Sequence, residues 1–144
     1  MSEFTRRDRM FKVWSFDVSH RHLILRSDPV AIDNTTTRVE IYFGHVEFML
    51  LKPVCRGIHV RPAASAEFDD VARFAGLDSD ARNWTWMLEG EGNSCVVSSK
   101  PSWREAPRPY AAPSLFSASQ PWPPGPDLTF GSVESDAEDP NGSD

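Results

Sequence analysis

The alternation of apolar and polar residues around the centre of the first hundred positions constrains the fold most. Apolar residues occupy every second position over 39–43 and again over 46–50, on either side of Gly44-His45. A period of two residues is that of a β-strand with one buried face. Two such runs around a two-residue glycine link are typical of a hairpin with a type II′ turn. The segment therefore predicts two paired antiparallel strands.

The same alternation recurs in shorter runs. It predicts further strands near positions 14–18, 23–25, 57–61, 84–88 and 95–98. The polar residues at 19–22 separate the first two of these runs, which is typical of a second hairpin. The glycine-rich residues at 89–93 separate the last two in the same way.

The period changes once, between residues 66 and 75, where apolar residues recur at intervals of three and four. This spacing predicts one short helix, with Ser65 as its N-cap and Gly76 as its C-terminal stop. Seven or eight short strands and one helix predict an α+β domain over residues 10–105, built on a mostly antiparallel sheet or half-closed barrel. A flexible N-terminus is expected over residues 1–9.

The composition changes after residue 105. Residues 106–144 hold eight of the twelve prolines, and six acidic residues against the single base Arg108. No apolar period survives there, so ordering would bury too little surface to offset the lost chain entropy. We expect a disordered, acidic, proline-rich tail. Its residues 121–126 contain two overlapping PxxP spacings, a pattern that aromatic grooves of partner proteins bind.

The distribution of charge argues against a nucleic-acid partner, and the length of the apolar runs argues against a membrane-spanning segment. Most of the net charge of −6 lies in the tail, and residues 1–105 are close to neutral, whereas nucleic-acid binding needs clustered positive charge. The longest apolar run, 48–51, is far below the roughly 18 residues of a membrane span. No secretory signal is recognised. We expect no nucleic-acid partner, no membrane association and, by default, a cytoplasmic protein.

His20 and His22 are the first candidates for chemistry, because residues two apart on a strand share a face. Such a pair can chelate a metal ion when a third ligand joins it. The candidates for that ligand are His45, His59, Asp17 and Glu47. The spacing also fits a polar turn with no role, and we predict neither a metal nor a cofactor. Ser19 adjoins His20 in sequence, which is poor geometry for a nucleophile and its base.

Two other residue pairs allow more than one interpretation. Trp84 and Trp86 share one face of a predicted strand and can form a stacking platform, although aromatic residues at this spacing more often belong to the core. Their exposure distinguishes the two. Cys55 and Cys95 lie forty positions apart without a CxxC motif, which indicates two thiols rather than a disulfide.

The first hairpin carries a resemblance. Residues 14–27 and 37–43, with the later hairpin from Trp86, resemble a set of small uncharacterised bacterial proteins whose N-terminal hairpin reads Val-Ser-His-x-x-Leu-x-Leu-Arg-Ser. The likeness covers about residues 11–99 and implies no activity, cofactor or substrate. The matching polar and framing positions are Ser19, His20, Leu25, Arg26 and Ser27.

We favour a non-enzymatic binding or interaction module that reaches a protein partner through the tail or through an exposed strand edge. The candidate binding residues are Ser19, His20, His22, Arg26, Trp84 and Trp86. The alternative is a small metal-dependent or hydrolytic enzyme centred on His20 and His22, in which both histidines converge with a carboxylate or thiol in a pocket. A structural role, with an edge strand that joins another copy, stays open.

Overall fold

A computed structural model describes residues 3–90 and 92–135. Within them nine strands form one antiparallel sheet, in the order β4-β7-β6-β5-β1-β2-β3-β8-β9, so the sheet is open and contains more strands than the seven or eight expected. The strands are β1 (Phe4–Asp17), β2 (His22–Ser27), β3 (Arg38–Phe43), β4 (Phe48–Leu50), β5 (Val54–Pro62), β6 (Thr85–Glu89), β7 (Asn93–Val97), β8 (Ser102–Ala106) and β9 (Thr129–Ser132). The helix α1 covers Ser65–Ala75, and two 3₁₀ helices cover Ala31–Asp33 and Ser79–Trp84.

The expected flexible N-terminus over residues 1–9 is wrong from residue 4 onward. β1 begins at Phe4, whose side chain is 2% exposed in the core. The strand pairs with β5 over its first part and with β2 over its second. Charged residues between Phe4 and Met10 hide the alternation, and the pairing register with β5 is irregular at the same place, as in a β-bulge. Residues 1 and 2 lie outside the described part of the chain.

The strands predicted at 38–50 form, but the hairpin between them is wrong. β3 pairs with β2 and β8, whereas β4 pairs with β7 at the other end of the sheet order. His45, not Gly44, has the positive φ, of 50°. The link 44–47 bonds instead to other segments: Val46 donates its N–H to the Arg21 carbonyl at 3.0 Å. Since so short a link spans at most roughly 18 Å, the sheet curves until its distant strands approach one another.

One face of the sheet carries the hydrophobic core. Most of its members come from alternate strand positions, as the period of two residues predicts, and Val46 and Val133 lie just outside the strands. The buried core side chains are Phe4, Phe11, Leu23, Leu25, Val39, Ile41, Phe43, Val46, Ile58, Val60, Trp86, Leu88, Val96 and Val133. The β1–β2 and β6–β7 hairpins pair as expected.

The helix forms where it was predicted. α1 ends at Gly76, which has a left-handed φ of 71° and donates its N–H to the Ala72 carbonyl. Its start is one residue earlier than expected, because Ser65 is already helical and Ala64 occupies the N-cap position. The Glu67 carboxylate accepts a hydrogen bond from the Ala64 N–H at 2.8 Å and so caps the first turn.

The expectation of a disordered tail from residue 106 is wrong as far as residue 135. We call residues 107–128, between β8 and β9, the strap. The strap covers the sheet face opposite the core, where Leu115 and Leu128 form a second apolar cluster with Ala106. β9 then pairs with β8, and Val133 enters the main core. Residues 136–144, the remainder of the predicted tail, lie outside the described residues.

Arginines of the sheet explain why a segment without apolar period is ordered. The guanidinium groups of Arg26, Arg38 and Arg104 donate hydrogen bonds to carbonyls of the strap. Hydrogen bonds from a charged donor are stronger than those between neutral groups. Arg26 donates to the Tyr110 carbonyl at 2.8 Å, and Arg104 donates to the Leu115 carbonyl at 2.7 Å. Arg26 also stacks on the Trp14 ring at 3.8 Å. These contacts join residues that lie far apart in the chain, so the local pattern of apolar and polar residues does not predict them.

Within residues 3–90 and 92–135 no helix combines the length and apolar character that crossing a bilayer requires.

Candidate functional site

The turn between β1 and β2 brings three of the residue types of a hydrolase together. His20 Nδ1 lies 3.1 Å from Ser19 Oγ and 3.3 Å from Asp17 Oδ2, and Ser19 Oγ donates to Asp17 Oδ1 at 2.8 Å. Serine and carboxylate therefore meet the same ring nitrogen. A catalytic triad needs them on opposite nitrogens, so that the carboxylate orients the ring through one nitrogen while the serine hydroxyl transfers its proton to the other. The arrangement here is an exposed polar turn.

The charge of Asp17 follows from that turn. Hydrogen bonds from Ser19 and His20 lower the pKa of Asp17 to about 2, because they stabilise the carboxylate. The Ser19 N–H also donates to Asp17 Oδ1 at 3.0 Å, which is the bond of an Asx turn. Ser19 and His20 thus stabilise the turn between two paired strands.

His22 does not complete a metal site with His20. The two rings lie 5.4 Å apart, and His22 packs onto the Tyr42 ring at 5.1 Å, which in turn stacks on Phe116. His59 is held elsewhere, between Glu3 and Glu89. No three His, Cys, Asp or Glu side chains of residues 3–90 and 92–135 group closely enough to hold a metal ion. The convergence of histidines with further ligands that the enzyme alternative requires does not form among these residues.

Arg26 and Trp86 are buried and hold the fold together. Arg26 is 2% exposed and donates to the Asp28 carboxylate at 3.0 Å, in addition to its contact with the strap. Trp86 has no exposed surface, and its indole N–H donates to the Ser98 carbonyl at 3.0 Å. Both residues are therefore part of the packed structure, and the stacking platform suggested for the two tryptophans does not form.

Trp84 differs from Trp86 because it ends a 3₁₀ helix just before β6 begins. Its side chain is 43% exposed and forms part of the wall of a cleft of about 500 Å³. The cleft lies between that 3₁₀ helix, the β3–β4 link and the end of β7. Its polar lining consists of His45, Glu47, Asp78, Asp80, Ser98 and Ser99.

Local hydrogen bonds fix the walls of this cleft. Asp78 caps the 3₁₀ helix by accepting the Asp80 N–H at 3.3 Å. The Ser98 N–H donates to the Trp84 carbonyl at 2.9 Å, and Thr85 Oγ1 donates to the Ala81 carbonyl at 2.9 Å. The 3₁₀ helix is thereby tied to the ends of β6 and β7, and Trp84 has a fixed position at their junction.

The lining of the cleft is acidic. It includes three carboxylates and one imidazole but neither lysine nor arginine. Glu47 lies 3.7 Å from Arg21, and both side chains are at least half exposed, so solvent weakens this pair. The Asp80 carboxylate makes no hydrogen bond or ion pair with the described residues. An aromatic face beside carboxylates attracts cations, which makes the cleft suited to an ammonium or guanidinium group.

Sequence reasoning identified only part of this site. Trp84 was a candidate, and His45 and Glu47 were considered only as metal ligands. Asp78 and Asp80 were not recognised, because short acidic stretches after a helix usually cap the next turn. Residues 44–47 lie next to residues 78–84 because the β3–β4 link leads to β7 instead of turning back along β3 as the hairpin prediction required.

Comparison with known proteins gives no relative. No protein family matches the chain, and neither a curated protein nor a solved structure is significantly similar to it.

Proposed function

We propose that this protein is a non-enzymatic binding module whose cleft at Trp84 binds a cationic group of a larger partner. The observation that carries the proposal is the exposed indole of Trp84 in one cleft with the carboxylates of Glu47 and Asp80, and with neither lysine nor arginine in its lining. A cation over an indole face gains about 0.5–1 kcal/mol when exposed and about 2 kcal/mol when desolvated. The carboxylates add attraction that depends on salt.

A guanidinium group suits this cleft better than a compact ammonium. Guanidinium is planar, stacks on aromatic rings and sheds its hydration more easily. It can lie on Trp84 and donate hydrogen bonds to the carboxylate of Asp80, which lines the same cleft. The volume of about 500 Å³ is in the range of small-ligand sites. An isolated guanidinium should bind only weakly, with a Kd on the order of 1 mM, so the cleft is a recognition point within a larger contact.

The alternative, a hydrolytic or metal-dependent enzyme at His20 and His22, has less support. Its strongest feature is the contact of Asp17, Ser19 and His20. Both Asp17 and Ser19 contact Nδ1 of the His20 imidazole. When Nδ1 is bonded to the aspartate, it cannot also accept the proton of the serine hydroxyl. The turn is also exposed, so it offers little exclusion of water from a reacting group.

Isothermal titration calorimetry with the methyl ester of N-acetylarginine tests the proposal, with the uncharged N-acetylcitrulline methyl ester as control ligand. We expect heat of binding for the first ester and none for the second, and weaker binding at 0.5 M NaCl. Equal binding of the two esters, or no binding of either, contradicts the proposal.

Variants locate the binding. Trp84→Ala and the double variant Glu47→Gln/Asp80→Asn should each weaken binding about fivefold to tenfold, because each removes about 1 kcal/mol of attraction. The matched control is Asp70→Asn/Asp127→Asn, which changes the net charge equally at exposed sites away from the cleft. The proposal fails if the control variant loses as much affinity as the cleft variant.

A further inference from the structure

The sheet face beneath the strap is charged although it is covered. Arg26, Arg38 and Glu40 are 2%, 0% and 0% exposed. Apolar side chains in place of a buried ion pair are often neutral or stabilising, so burial alone does not account for charged residues on this face. A charged face holds the strap by hydrogen bonds when it is covered, and its guanidinium and carboxylate groups are solvated when it meets water. The composition fits a surface that is uncovered for part of the time.

The face contacts both the main chain of the strap and the side chains of Tyr110, Ser114 and Phe116. Five hydrogen bonds run from sheet arginines to strap carbonyls, at 2.7 to 3.1 Å. The donors are Arg26, Arg38 and Arg104, and the acceptors are the carbonyls of Pro109, Tyr110, Pro113 and Leu115. Carbonyl groups are common to all polypeptides, so another extended segment can satisfy the same arginines.

The donors of this face also select the kind of segment. Guanidinium groups donate hydrogen bonds and accept none. A main chain laid on them has its carbonyls satisfied but its N–H groups left without acceptors. Proline has no N–H, so a proline-containing segment leaves fewer unsatisfied donors, and it loses less chain entropy when it binds. Pro109 and Pro113 occupy these positions in the strap.

The strap can leave without disrupting the sheet pairing of β1 to β8. Its own backbone hydrogen bonds are local turns, such as Ala112 N–H to the Pro109 carbonyl and Ser117 N–H to the Ser114 carbonyl. Several of its side chains stay in solvent, with Tyr110 62% and Trp122 51% exposed. Segments with local bonds and exposed side chains are those that open below the global unfolding free energy.

We propose that the outer face of β2, β3 and β8 is a polypeptide-binding surface, which the strap occupies as an intramolecular ligand until an extended, proline-containing segment of a partner protein replaces it. This surface is separate from the cleft at Trp84, and the proposal does not depend on cation binding there. The strap competes at high effective concentration, so the partner must bind tightly or meet a loosened strap.

Amide hydrogen exchange of the wild-type chain tests whether the strap opens. We expect amides of residues 114–117 to exchange at least about a hundredfold faster than those of β2 and β3, with no loss of the sheet. Exchange of the strap at the same rate as the sheet core, through global unfolding alone, overturns the proposal.

Peptide binding tests what the uncovered face accepts. A fluorescent peptide of residues 107–128 is titrated into Leu115→Ala, which loosens the strap, and into Ile32→Ala, an exposed matched control. Circular dichroism first verifies that each variant keeps its sheet. We expect at least about tenfold tighter binding to Leu115→Ala, and no binding of a proline-free peptide of equal length and charge.

A second peptide separates main-chain recognition from recognition of the strap sequence. It keeps the prolines of the strap and changes the other residues, apart from the leucine at the buried position. We expect it to bind Leu115→Ala within about threefold of the strap peptide. If it does not bind while the strap peptide does, the face accepts only this chain's own strap and a partner segment is contradicted. If neither binds to a folded variant, the surface itself is contradicted.

Discussion

Arg38 and Glu40 lie two positions apart on β3 with no exposed surface, and Arg38 Nη1 is 3.3 Å from Glu40 Oε2. Both residues belong to the polar side of the alternation that identifies the strand. That side does not face solvent, because the strap covers it. Glu40 Oε1 also accepts a hydrogen bond from Ser114 of the strap, so the ion pair of the sheet is in direct contact with the segment that covers it.

Glu40→Gln should destabilise the fold strongly. The change removes one of two carboxylates beside the buried Arg38 guanidinium, since Asp28 stays 3.3 Å from Arg38 Nε. Removal of one partner of a buried pair costs up to about 3–5 kcal/mol. Urea denaturation measures the free energy of unfolding. Asp70→Asn removes the partner of Arg73 from an exposed pair on α1 and should cost less than about 1 kcal/mol. Similar losses in the two variants contradict the account of the buried pair.

Loss of strap packing should also lower stability. Leu115 has no exposed surface, and truncation of a buried leucine to alanine costs about 2–5 kcal/mol, up to the free energy that holds the strap on the sheet. Ile32→Ala, at a residue that is 88% exposed, should change the free energy of unfolding by less than about 0.5 kcal/mol.

Deletion of residues 106–144 should lower the melting temperature, whereas a disordered tail would leave it unchanged.

The sequence pattern predicts well where strands and the helix lie, because burial of one face imposes a local period. The period of two residues locates β3, and the intervals of three and four locate α1. The pattern does not predict which strands pair. Gly44 next to a polar residue is a good hairpin signal, but Val46 enters the core and donates its N–H to the Arg21 carbonyl instead of continuing alongside β3.

The strap and β9 were missed for a different reason. The strap is held by guanidinium groups that donate to carbonyls far away in sequence, and β9 is held by pairing with β8. Neither kind of contact produces a periodic pattern in the sequence. β1 was shortened for a similar reason, since Arg9 is buried and bonded to Ser27 and Thr37, although its charge suggests solvent. The site at Trp84 depends on the same long-range pairing and could be predicted only for its tryptophan.

Stability should fall in acid because of Glu67. Hydrogen bonds from Arg61 lower the pKa of Glu67 to about 2, from an ordinary value of 4.5. A carboxyl group whose pKa is lower in the folded chain stabilises the fold above its unfolded pKa and loses that effect as the pH falls through the folded pKa. The contribution is therefore complete above pH 4.5 and lost toward pH 2. With a third of the side chain exposed, about 1 kcal/mol is expected.

Glu67→Gln tests this assignment. The variant should be less stable than the wild type at pH 7, and the difference between them should shrink between pH 4.5 and pH 2 in urea denaturation. A difference that stays constant over this window assigns the acid sensitivity to other carboxylates.

The two cysteines should differ in reactivity. Burial raises the pKa of the Cys95 thiol, and a buried thiol of raised pKa reacts slowly because the thiolate is the nucleophile. Cys55→Ser leaves Cys95 as the sole thiol. We expect this variant to resist labelling by dithionitrobenzoate in the native state and to react fully in urea. Rapid native labelling shows that the β7 core opens more readily than its packing indicates.

The central claim, that the cleft at Trp84 binds a cation, is tested most directly by ¹H–¹⁵N spectra during titration with the methyl ester of N-acetylarginine. The account predicts that the indole N–H of Trp84, assigned through Trp84→Phe, shifts together with the amides of Ser98 and Ser99. The indoles of Trp86 and Trp122 should stay unchanged. Shifts confined to Trp122, or no shift at Trp84 at saturating ester, contradict the claim.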